Sequence, residues 1–578
     1  MTVPGLVALI AIAVVGLVSA LIGSYGVRMA RSTSDFLVAS RTVGPVANAS
    51  AISGEYLSAA SFLGIAGLIL REGADGLWYP IAFVAGYLAL LLFVAAPLRR
   101  SGAYTVPDFA EVRLGSPVLR RLCTVFVLVI GWLYLLPQLQ GAGLALTILT
   151  GLPAWSGIAG AGVIVLLTVI GGGMRSITFV QAFQFWLKFT AMAVPAVVVL
   201  GLFLGAAGTF DRPSPPQFRE STTVQVRTDV VLDVAEPVRL RAEGEVDGQR
   251  VRGDLLWEPG RYEVTEDTTL AFAAGAPVPT VAGAPPTDRE WLAPLTGERD
   301  HQLLEIYSIL VAGFLGTMGM PHVLVRFYTN PDGRAARRTT VHVLGMIGLF
   351  YLLVTAVGAM SRFYTPQLLV TGETDAAVLL VPTSALGQNW AGWLLGGLVA
   401  AGVAAAFLAT SSGLVVSLAG VLFTDVLRGR WTDFRLAAAL STVVPLGLAL
   451  AVTRLDFALT VPLVFAVAAS TFCPLLVLGI WWRGLTATGA VAGLVVGGGL
   501  SGVAVGLSLF AVLPPGWLGV LLYRPAAVTV PAAFLTMILV SRLTRAAIPY
   551  DVDRALLILH APERLGLSRD RLDRPGQA

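Results

Sequence analysis

The sequence predicts an all-α polytopic membrane protein with about thirteen transmembrane helices and one small β-rich insertion. Of its 578 residues, 56% are hydrophobic and only 13% are charged, and its mean hydropathy is +0.78. An ordinary soluble domain carries about 25% charged residues, whereas a spanning helix needs about 20 mostly apolar residues in succession. Apolar runs of that length recur along almost the whole chain. They exclude a soluble enzyme with a single anchor, and also a transmembrane barrel, whose strands alternate in polarity.

Thirteen apolar runs bounded by Arg, Pro or Gly are predicted to cross the membrane. Numbered helix one to helix thirteen in chain order, they lie near residues 4–25, 47–70, 77–98, 118–149, 153–171, 178–206, 303–328, 338–361, 391–427, 435–452, 458–481, 487–510 and 526–541. The first run has the length of a spanning helix and lacks the basic segment of a signal peptide, so it is predicted to be helix one. The predicted domains are helix one at 1–30, helices two to six at 31–208, the insertion at 209–300, helices seven to eleven at 301–482, helices twelve and thirteen at 483–541, and a tail at 542–578.

Arginine placement predicts the orientation of the bundle, because short cytoplasmic loops carry the excess of positive charge. The loops after helices one, three, seven and nine fall on one side together with the tail. Their arginines are Arg28, Arg31, Arg41, Arg99, Arg100, Arg113, Arg334, Arg337, Arg338, Arg428, Arg430 and Arg435. We therefore expect a multi-pass protein of the plasma membrane, with its N-terminus outside and its C-terminus in the cytoplasm.

The insertion at 209–300 differs from the rest of the chain because it is hydrophilic and its side chains alternate as in β-strands. Thr223–Arg227 and Val238–Arg241 show the alternation, and Asp247-Gly248 and Pro259-Gly260 are turn signals. The segment contains 17 acidic residues and 10 arginines. It is predicted to be an independently folded, acidic β domain outside the membrane.

Most catalytic chemistry lacks the residues that it would need. Cys123 and Cys473 lie in separate apolar runs and are predicted to be buried hydrophobes. Lys188 is the only lysine and follows no glycine-rich phosphate loop, so an ATP-driven pump has no candidate site. Lys188 either pairs with an acid, reaches the membrane surface or has a functional role. No serine nucleophile has a credible base, and the histidines are too scattered to bind a metal: His301, His322, His342 and His560. We expect no enzyme.

Helix two carries polar residues that are costly inside a membrane. Glu55 lies among Tyr56, Ser58 and Ser61 in the string Gly54–Gly67. A charged acid at the centre of a spanning helix costs at least about 2.5 kcal/mol. Glu55 therefore either faces a cavity or, as a purely structural acid, pairs with an arginine or lies near the surface. The small residues suit close helix packing, or a local break that frees backbone carbonyls for a cation.

Helix seven has the second set of interrupting residues. Gly316, Gly319 and Pro321 fall within six residues, and irregular backbone at membrane depth is tolerated only where it is buried or lines a cavity. Helices two and seven each open a block of five helices. Interrupted helices at matching positions are typical of inverted-repeat secondary transporters, which bind their solute near the breaks.

Two further groups of polar residues are predicted near the breaks. Helix nine contains Thr410, Ser411 and Ser412, whose hydroxyls either bond back to their own helix or face a site. In helix four, Tyr134, Gln138 and Gln140 are candidates to face the same cavity.

Three of these strings resemble the sodium:solute symporter family, and most closely its cation/acetate symporters and the related monocarboxylate carriers. They are Gly54–Gly64, Gln138–Gly143 and Gly316–Phe327. The resemblance covers roughly 35–208 and 303–480, and residues 209–300 have no counterpart in it. It implies a leucine-transporter-like fold with a 5+5 inverted repeat and an outside N-terminus, in agreement with the arginine placement.

The resemblance also implies a sodium site between helices two and nine and a substrate site nearby. The ion ligands it implies are Gly54, Leu57, Ala406, Ala409 and Thr410. Ala409 replaces the first of the two adjacent hydroxyls that the family usually has, so Thr410 is the only side-chain ligand. The implied substrate-binding residues are Glu55, Tyr56, Gln138, Gly316, Thr317 and Gly319. Sodium would be a transported ion and not a prosthetic group.

The expected function is therefore import of a short-chain monocarboxylate, such as acetate, propionate or pyruvate, coupled to sodium or to protons. The alternatives are a symporter for another small solute such as proline, whose ammonium would need its own partner, and a solute sensor that acts through a separate protein. No nucleic acid partner is expected. The insertion is predicted to be dispensable for transport. It connects two repeats that rock around a fixed site, and such a connection can be long or short.

Overall fold

The computed structural model describes residues 2–26, 43–206, 208–210, 214–296, 301–427, 434–452, 457–510, 512–562 and 565. Within these residues, eleven helices are long and apolar enough to cross a membrane. The chain is a multi-pass membrane protein with the predicted helical architecture. Five of the arginines used to predict its orientation lie outside the described residues: Arg28, Arg31, Arg41, Arg428 and Arg430.

The observed helices follow the predicted order closely. Helix one is Val3–Gly26. Helix two consists of Pro45–Tyr56 and Ile65–Glu72, with a π-helical turn Ala60–Gly64 between them. The remaining helices of the first block are helix three, Trp78–Phe93; helix four, Pro117–Thr150; and helices five and six, Ala154–Gly205. Helix seven consists of Gln302–Gly319 and Pro321–Val325. It is followed by helix eight, Gly333–Tyr364; helix nine, Trp390–Val421; helix ten, Phe434–Ala451; helix eleven, Phe457–Trp481; helix twelve, Ala487–Leu509; and helix thirteen, Ala526–Leu543. Short helices in the connections and the tail are Ala95–Arg100, Val106–Leu114, Asp288–Leu292, Gln367–Thr371, Ala377–Leu386, Trp517–Tyr523 and Val552–His560.

The difference between thirteen predicted and eleven observed spans lies in two places. Residues Ala60–Phe93 form one continuous helical stretch that joins the second half of helix two to helix three. Helix five is represented by the shorter apolar stretch Ala154–Ile170. Helices two and five are thus both present, although neither forms a separate long span.

Helices five and six share one helical range, yet the chain reverses direction within it. In helix five the contacts advance along helix one, because Ile164 packs against Gly16 and Thr168 packs against Gly23. In helix six they return in the opposite direction: the Ser176 hydroxyl donates to the carbonyl of Gly23 at 2.9 Å, and Gln184 donates to the Ser19 hydroxyl at 2.9 Å. The two arms therefore run antiparallel along helix one, as predicted.

The two interrupted helices occupy matching places in the two blocks. Helix two leaves helical geometry at Leu57, with φ −72° and ψ 79°, and helix seven does so at Met320, with φ −72° and ψ 111°. Pro321 then begins the second segment of helix seven, a position that proline favours because its missing N–H needs no partner there. This arrangement agrees with the predicted inverted repeat.

The insertion forms one antiparallel sheet. Its strands are β1 Thr222–Gln225, β2 Val230–Val234, β3 Val238–Val246, β4 Gln249–Trp257, β5 Gly260–Val264, β6 Thr269–Phe272 and β7 Thr280–Val281. The strand order is β1-β6-β3-β5-β2-β7, and β4 pairs with β3. Asp247 and Gly248 join β3 to β4 with positive φ angles of 50° and 71°, as a tight hairpin turn requires.

The sheet shares its hydrophobic core with residues of the membrane bundle. Its hydrophobic core includes Leu70 from the end of helix two, Leu368, Leu369 and Val370 from the short helix after helix eight, and neighbouring alanines. The Trp291 indole donates to the carbonyls of Ile69 and Leu70 at 2.9 and 3.0 Å, and Arg362 Nε donates to Asp288 Oδ1 at 2.8 Å. The strand pattern predicted the sheet, but not this docking, because the apolar residues that receive it lie far away in sequence.

Candidate functional site

The break in helix two frees backbone groups that an unbroken helix would satisfy internally. Ser58 N–H donates to the carbonyl of Tyr56 at 2.8 Å, and Ala59 N–H donates to Gln138 Oε1 at 3.3 Å. In a regular helix these two groups would instead serve the carbonyls of Gly54 and Glu55. The carbonyls freed by the break need other donors, because unpaired polar groups are costly in a membrane interior.

Lys188 and Thr410 supply those donors. Lys188 Nζ lies 2.5 Å from the carbonyl oxygen of Gly54 and 2.6 Å from that of Leu57. The Thr410 hydroxyl donates to the carbonyl of Glu55 at 2.7 Å. Both side chains are fully buried. Helices six and nine therefore meet the break in helix two with hydrogen-bond donors.

The predicted ion ligands are thus brought together, but protein groups already engage most of them. The carbonyls of Gly54 and Leu57 accept from Lys188. The carbonyl of Ala409 accepts from Gln181 Nε2 at 2.8 Å and from the Ser412 hydroxyl at 3.0 Å. Ala406 lies buried about one turn before Thr410. Ser412 therefore bonds back to its own helix, one of the alternatives left open for the hydroxyls of helix nine.

Glu55 lies in an ion pair and does not line the small cavity that lies beside the break. Its Oε2 accepts from Arg326 Nε at 2.7 Å, and both side chains are 1% exposed. Arg326 also donates to the Thr178 hydroxyl at 3.0 Å and to Gln181 Oε1. Of the alternatives for Glu55, the structure contains the pair with an arginine. The position of Glu55 does not support the prediction that it binds the substrate.

A small cavity lies beside the break, between helices two, three, four, eight and eleven. Its volume is about 20 Å³, and it is lined by Tyr56, Ala60, Ser61, Gly64, Ile65, Leu68, Tyr79, Phe83, Tyr134, Tyr351, Val461, Pro462 and Phe465. A single water molecule needs at least about 10–15 Å³ measured in this way. The described residues that line the cavity include no acidic or basic side chain.

Hydroxyl groups are the polar component of this lining. The hydroxyls of Ser61 and Tyr351 lie 3.0 Å apart, and the Tyr134 hydroxyl donates to that of Ser58 at 3.3 Å. The Tyr56 hydroxyl lies 3.0 Å from Thr317 Oγ1. Among these residues Tyr56, Ser61, Tyr134 and Tyr351 belong to the lining, and each of their hydroxyls carries one proton that it can donate.

The other predicted substrate residues have different places. Gln138 is buried, accepts from Ala59 N–H, and its Nε2 has no partner among the described residues. Thr317 touches Tyr56 but is not part of the lining. Gly316 and Gly319 pack closely against the carbonyls of Phe465 and Ala468 in helix eleven.

Sequence reasoning missed several cavity residues and misplaced one. Tyr351, Phe83 and Phe465 line the cavity, but in sequence they are single aromatic residues in apolar runs, and no local signal separates them from core residues. Gln140 was predicted near the cavity. Its amide instead donates to the carbonyls of Ala449 and Val452 at the end of helix ten, at 3.2 and 3.1 Å.

The family model of the sodium:solute symporters matches residues 36–232 and 278–497. The chain belongs to the sodium:solute symporter family. It is therefore a transporter and not an enzyme, and sodium is the transported ion of the family. The unmatched residues 233–277 fall within the β insertion. The resemblance left all of 209–300 without a counterpart, but the family model extends into the insertion from both ends.

Curated relatives of the chain are also symporters and transporters. The chain is 29% identical to the uncharacterized symporter YwcA of Bacillus subtilis, over 88% of this chain and 86% of that one. It is 28% identical to a monocarboxylic acid transporter of Corynebacterium glutamicum, with the same two coverages.

The solved structures show the fold. A sodium-coupled sialic acid symporter in a substrate-bound outward-open state aligns over 93% of this chain and 97% of its own, at 12% identity and a TM-score of 0.63. Mhp1, a nucleobase-cation-symport-1 family transporter in a closed conformation, aligns over 91% and 99%, at 15% identity and a TM-score of 0.52. The predicted leucine-transporter-like architecture is confirmed.

Proposed function

We propose that this symporter imports a short-chain monocarboxylate, such as acetate, propionate or pyruvate, with a cation. The observation that carries the proposal is the small cavity beside the helix-two break, whose polar lining consists of hydroxyl groups. Ser61, Tyr134 and Tyr351 can each donate a hydrogen bond to a carboxylate, while Phe83 and Phe465 can cover a short alkyl group. The relative that is a monocarboxylic acid transporter supports the same substrate class.

The electrostatics of a broken helix favour an anion on one side of the break and a cation on the other. The first segment of helix two ends in carbonyls, which carry partial negative charge, and the segment after the break begins with N–H groups, which carry partial positive charge. The cavity is lined by residues of the second segment, including Ala60, Ser61 and Gly64. A carboxylate is therefore proposed at the N-terminal end of that segment.

The small cavity favours a small substrate. Its volume of about 20 Å³ leaves room for about one water molecule, so even acetate requires movement of side chains such as Tyr56 or Tyr351. A substrate with a short alkyl group requires the least rearrangement.

A proline symporter is the competing proposal within the same class. Proline carries an ammonium as well as a carboxylate, and a buried ammonium needs acceptor groups. Because no acidic side chain lines the described cavity, the lining favours a simple carboxylate over a zwitterion.

Uptake into proteoliposomes tests the proposal. We expect labelled acetate to accumulate when a cation gradient is imposed, and unlabelled propionate or pyruvate to compete, whereas acetamide and proline should not. A sodium gradient and a pH gradient applied separately identify the coupling cation. Uptake of proline but not of acetate would favour the competing proposal.

One pair of variants connects the uptake to the cavity. Tyr351→Phe removes a hydroxyl that lies 3.0 Å from Ser61 Oγ, and a hydrogen bond to a charged group contributes about 1.5–3 kcal/mol. The half-saturating acetate concentration should therefore rise roughly ten- to a hundredfold. Tyr364→Phe makes the same change in the same helix outside the cavity and should leave it unchanged.

The proposed location is the plasma membrane, with the N-terminus and the β sheet outside and the C-terminus in the cytoplasm. An epitope placed between Asp247 and Gly248, at an exposed hairpin turn, should bind antibody on intact cells. An epitope at the C-terminus should bind antibody only after the cells are permeabilised.

A further inference from the structure

The carbonyls at the helix-two break form a cation site that is already filled by a side chain. Those of Gly54 and Leu57 point to one place, and the Lys188 ammonium lies there at 2.5 and 2.6 Å. These are the two carbonyls that the family resemblance assigns to sodium. A sodium ion bound to both would have to occupy the position of Lys188 Nζ.

We propose that the ammonium of Lys188 is a tethered cation that takes the place of sodium at the site between helices two and nine. Lys188 is the only lysine of the chain, and its side chain is completely buried. It donates to backbone carbonyls instead of reaching the membrane surface. Its position therefore serves the break itself, because it supplies the positive charge that the freed carbonyls favour.

The charge balance around the site argues against an additional ion. Glu55 follows Gly54, whose carbonyl accepts from Lys188, and the Glu55 carboxylate is itself paired with Arg326 at the end of helix seven at 2.7 Å. Two buried cations thus share one carboxylate among the described residues. A sodium ion beside them would add a third positive charge in a region of low dielectric, where like charges repel strongly.

Helix nine is also arranged to close the site without an ion. Thr410 donates its hydroxyl proton to the carbonyl of Glu55 at 2.7 Å, and the carbonyl of Ala409 accepts from Gln181 at 2.8 Å. The absence of a hydroxyl at Ala409 fits the same interpretation, because a site filled by an ammonium needs fewer oxygen ligands than a free ion does. Any sodium that drives transport would bind at a different place.

Thermal unfolding of the purified full-length protein in sodium chloride and in potassium chloride, at equal ionic strength, tests the proposal. An ion that binds only the folded protein raises the Tm. Thr410→Val, introduced as a single change, should leave any sodium-dependent rise in the Tm as it is in the wild type, because no sodium lies beside Thr410. Lys188→Met vacates the site while keeping much of the side-chain volume, and it should gain a sodium-dependent rise in Tm that Lys188→Met/Thr410→Val lacks.

Gln184→Met is the matched control for Lys188→Met. Gln184 lies one turn earlier on helix six, is buried, and donates to the Ser19 hydroxyl at 2.9 Å, so its loss removes a buried polar contact away from the site. This variant should gain no response to sodium. A wild-type sodium response that Thr410→Val abolishes, or a folded Lys188→Met variant that gains none, would overturn the proposal.

A measurement on the wild type keeps the proposal testable if Lys188→Met does not fold. Because the chain has one lysine, selective isotope labelling of lysine gives a single side-chain signal in nuclear magnetic resonance. Exchanging potassium for sodium should leave that signal in place, and a sodium-specific displacement of it would contradict the proposal. Acetate uptake is not the readout, so failure here would leave the substrate proposal unaffected.

Discussion

Glu55 and Arg326 form a buried ion pair that connects the two interrupted helices. The carboxylate accepts from Arg326 at 2.7 Å, and Arg326 extends the contact to Thr178 and Gln181 of helix six. Gln181 in turn donates to Ala409 of helix nine at 2.8 Å. One charged residue in helix two is thereby linked to three other helices around the break.

Glu55→Gln should destabilise the protein strongly. The amide can still accept a hydrogen bond, but it leaves the Arg326 guanidinium buried without its counter-charge. Removing one partner of a buried pair costs about 3–5 kcal/mol. The loss should appear as a lowered Tm of the purified protein in detergent.

Asp553→Asn is a suitable control for this prediction. Asp553 pairs with Arg483 at 3.0 Å, and both side chains are 68% exposed, so the change should alter stability by no more than about 1 kcal/mol. If Glu55→Gln kept the wild-type Tm but raised the half-saturating acetate concentration, Glu55 would be a substrate ligand and not a structural acid.

Residue-level partners were the least predictable part of the site. That Glu55 needs a partner or a cavity follows from the cost of a buried acid, but its partner Arg326 lies 271 positions away, and no local pattern points to it. Lys188 was expected to meet an acid, reach the surface or have a functional role, and its position on two carbonyls depends on a break in another helix. Such contacts are set by tertiary packing.

At the scale of elements, helices seven and eleven approach each other at glycines. A Cβ atom on Gly316 would lie 2.5 Å from the carbonyl oxygen of Phe465, and one on Gly313 would lie 2.7 Å from the Ala82 side chain in helix three. Small residues let membrane helices approach closely. The resemblance gave Gly316 and Gly319 a role in substrate binding, whereas the structure places them in helix contacts.

Gly316→Ala should therefore separate helix seven from helix eleven. Backbone atoms of helix eleven cannot move aside cheaply, so the variant should have a lower Tm and reduced acetate uptake. Gly348→Ala in helix eight is the matched control, because an added Cβ there meets no atom within 4 Å and alanine is the better helix former. Wild-type stability combined with a changed substrate preference in Gly316→Ala would instead support the substrate role.

Elements were more predictable than contacts because their signals are local. Apolar length located the spanning helices, and the glycines with Pro321 located the break in helix seven. The reversal between helices five and six also agrees with the apolar pattern. The π-helical turn Ala60–Gly64 was not predicted, because the same residues are compatible with an ordinary helix. It follows the interruption of the helical hydrogen bonds at Leu57.

At the scale of the whole molecule, the β sheet and the membrane bundle share one hydrophobic cluster. Leu368, Leu369 and Leu70 of the bundle lie in the core of the sheet. Arg362, at the end of helix eight, is 1% exposed on its side chain and pairs with Asp288, and its guanidinium carbon lies 5.2 Å from the centre of the Trp291 ring. The sheet therefore holds the end of helix two and the segment after helix eight together.

Replacing residues 214–292 with a flexible linker should consequently lower the Tm and the amount of protein in the membrane. Each fully buried leucine side chain contributes about 1.5–3 kcal/mol, and Leu368, Leu369 and Leu70 would all lose their cover while Arg362 would lose its counter-charge. Inserting a short Gly/Ser segment between Asp247 and Gly248 is the control. It lengthens the same domain at an exposed turn and should change neither quantity. If the linker variant instead kept the wild-type Tm, membrane amount and acetate uptake, the sheet would be the dispensable tether that its sequence position suggests, and its contacts with helices two and eight would contribute little to the transporter.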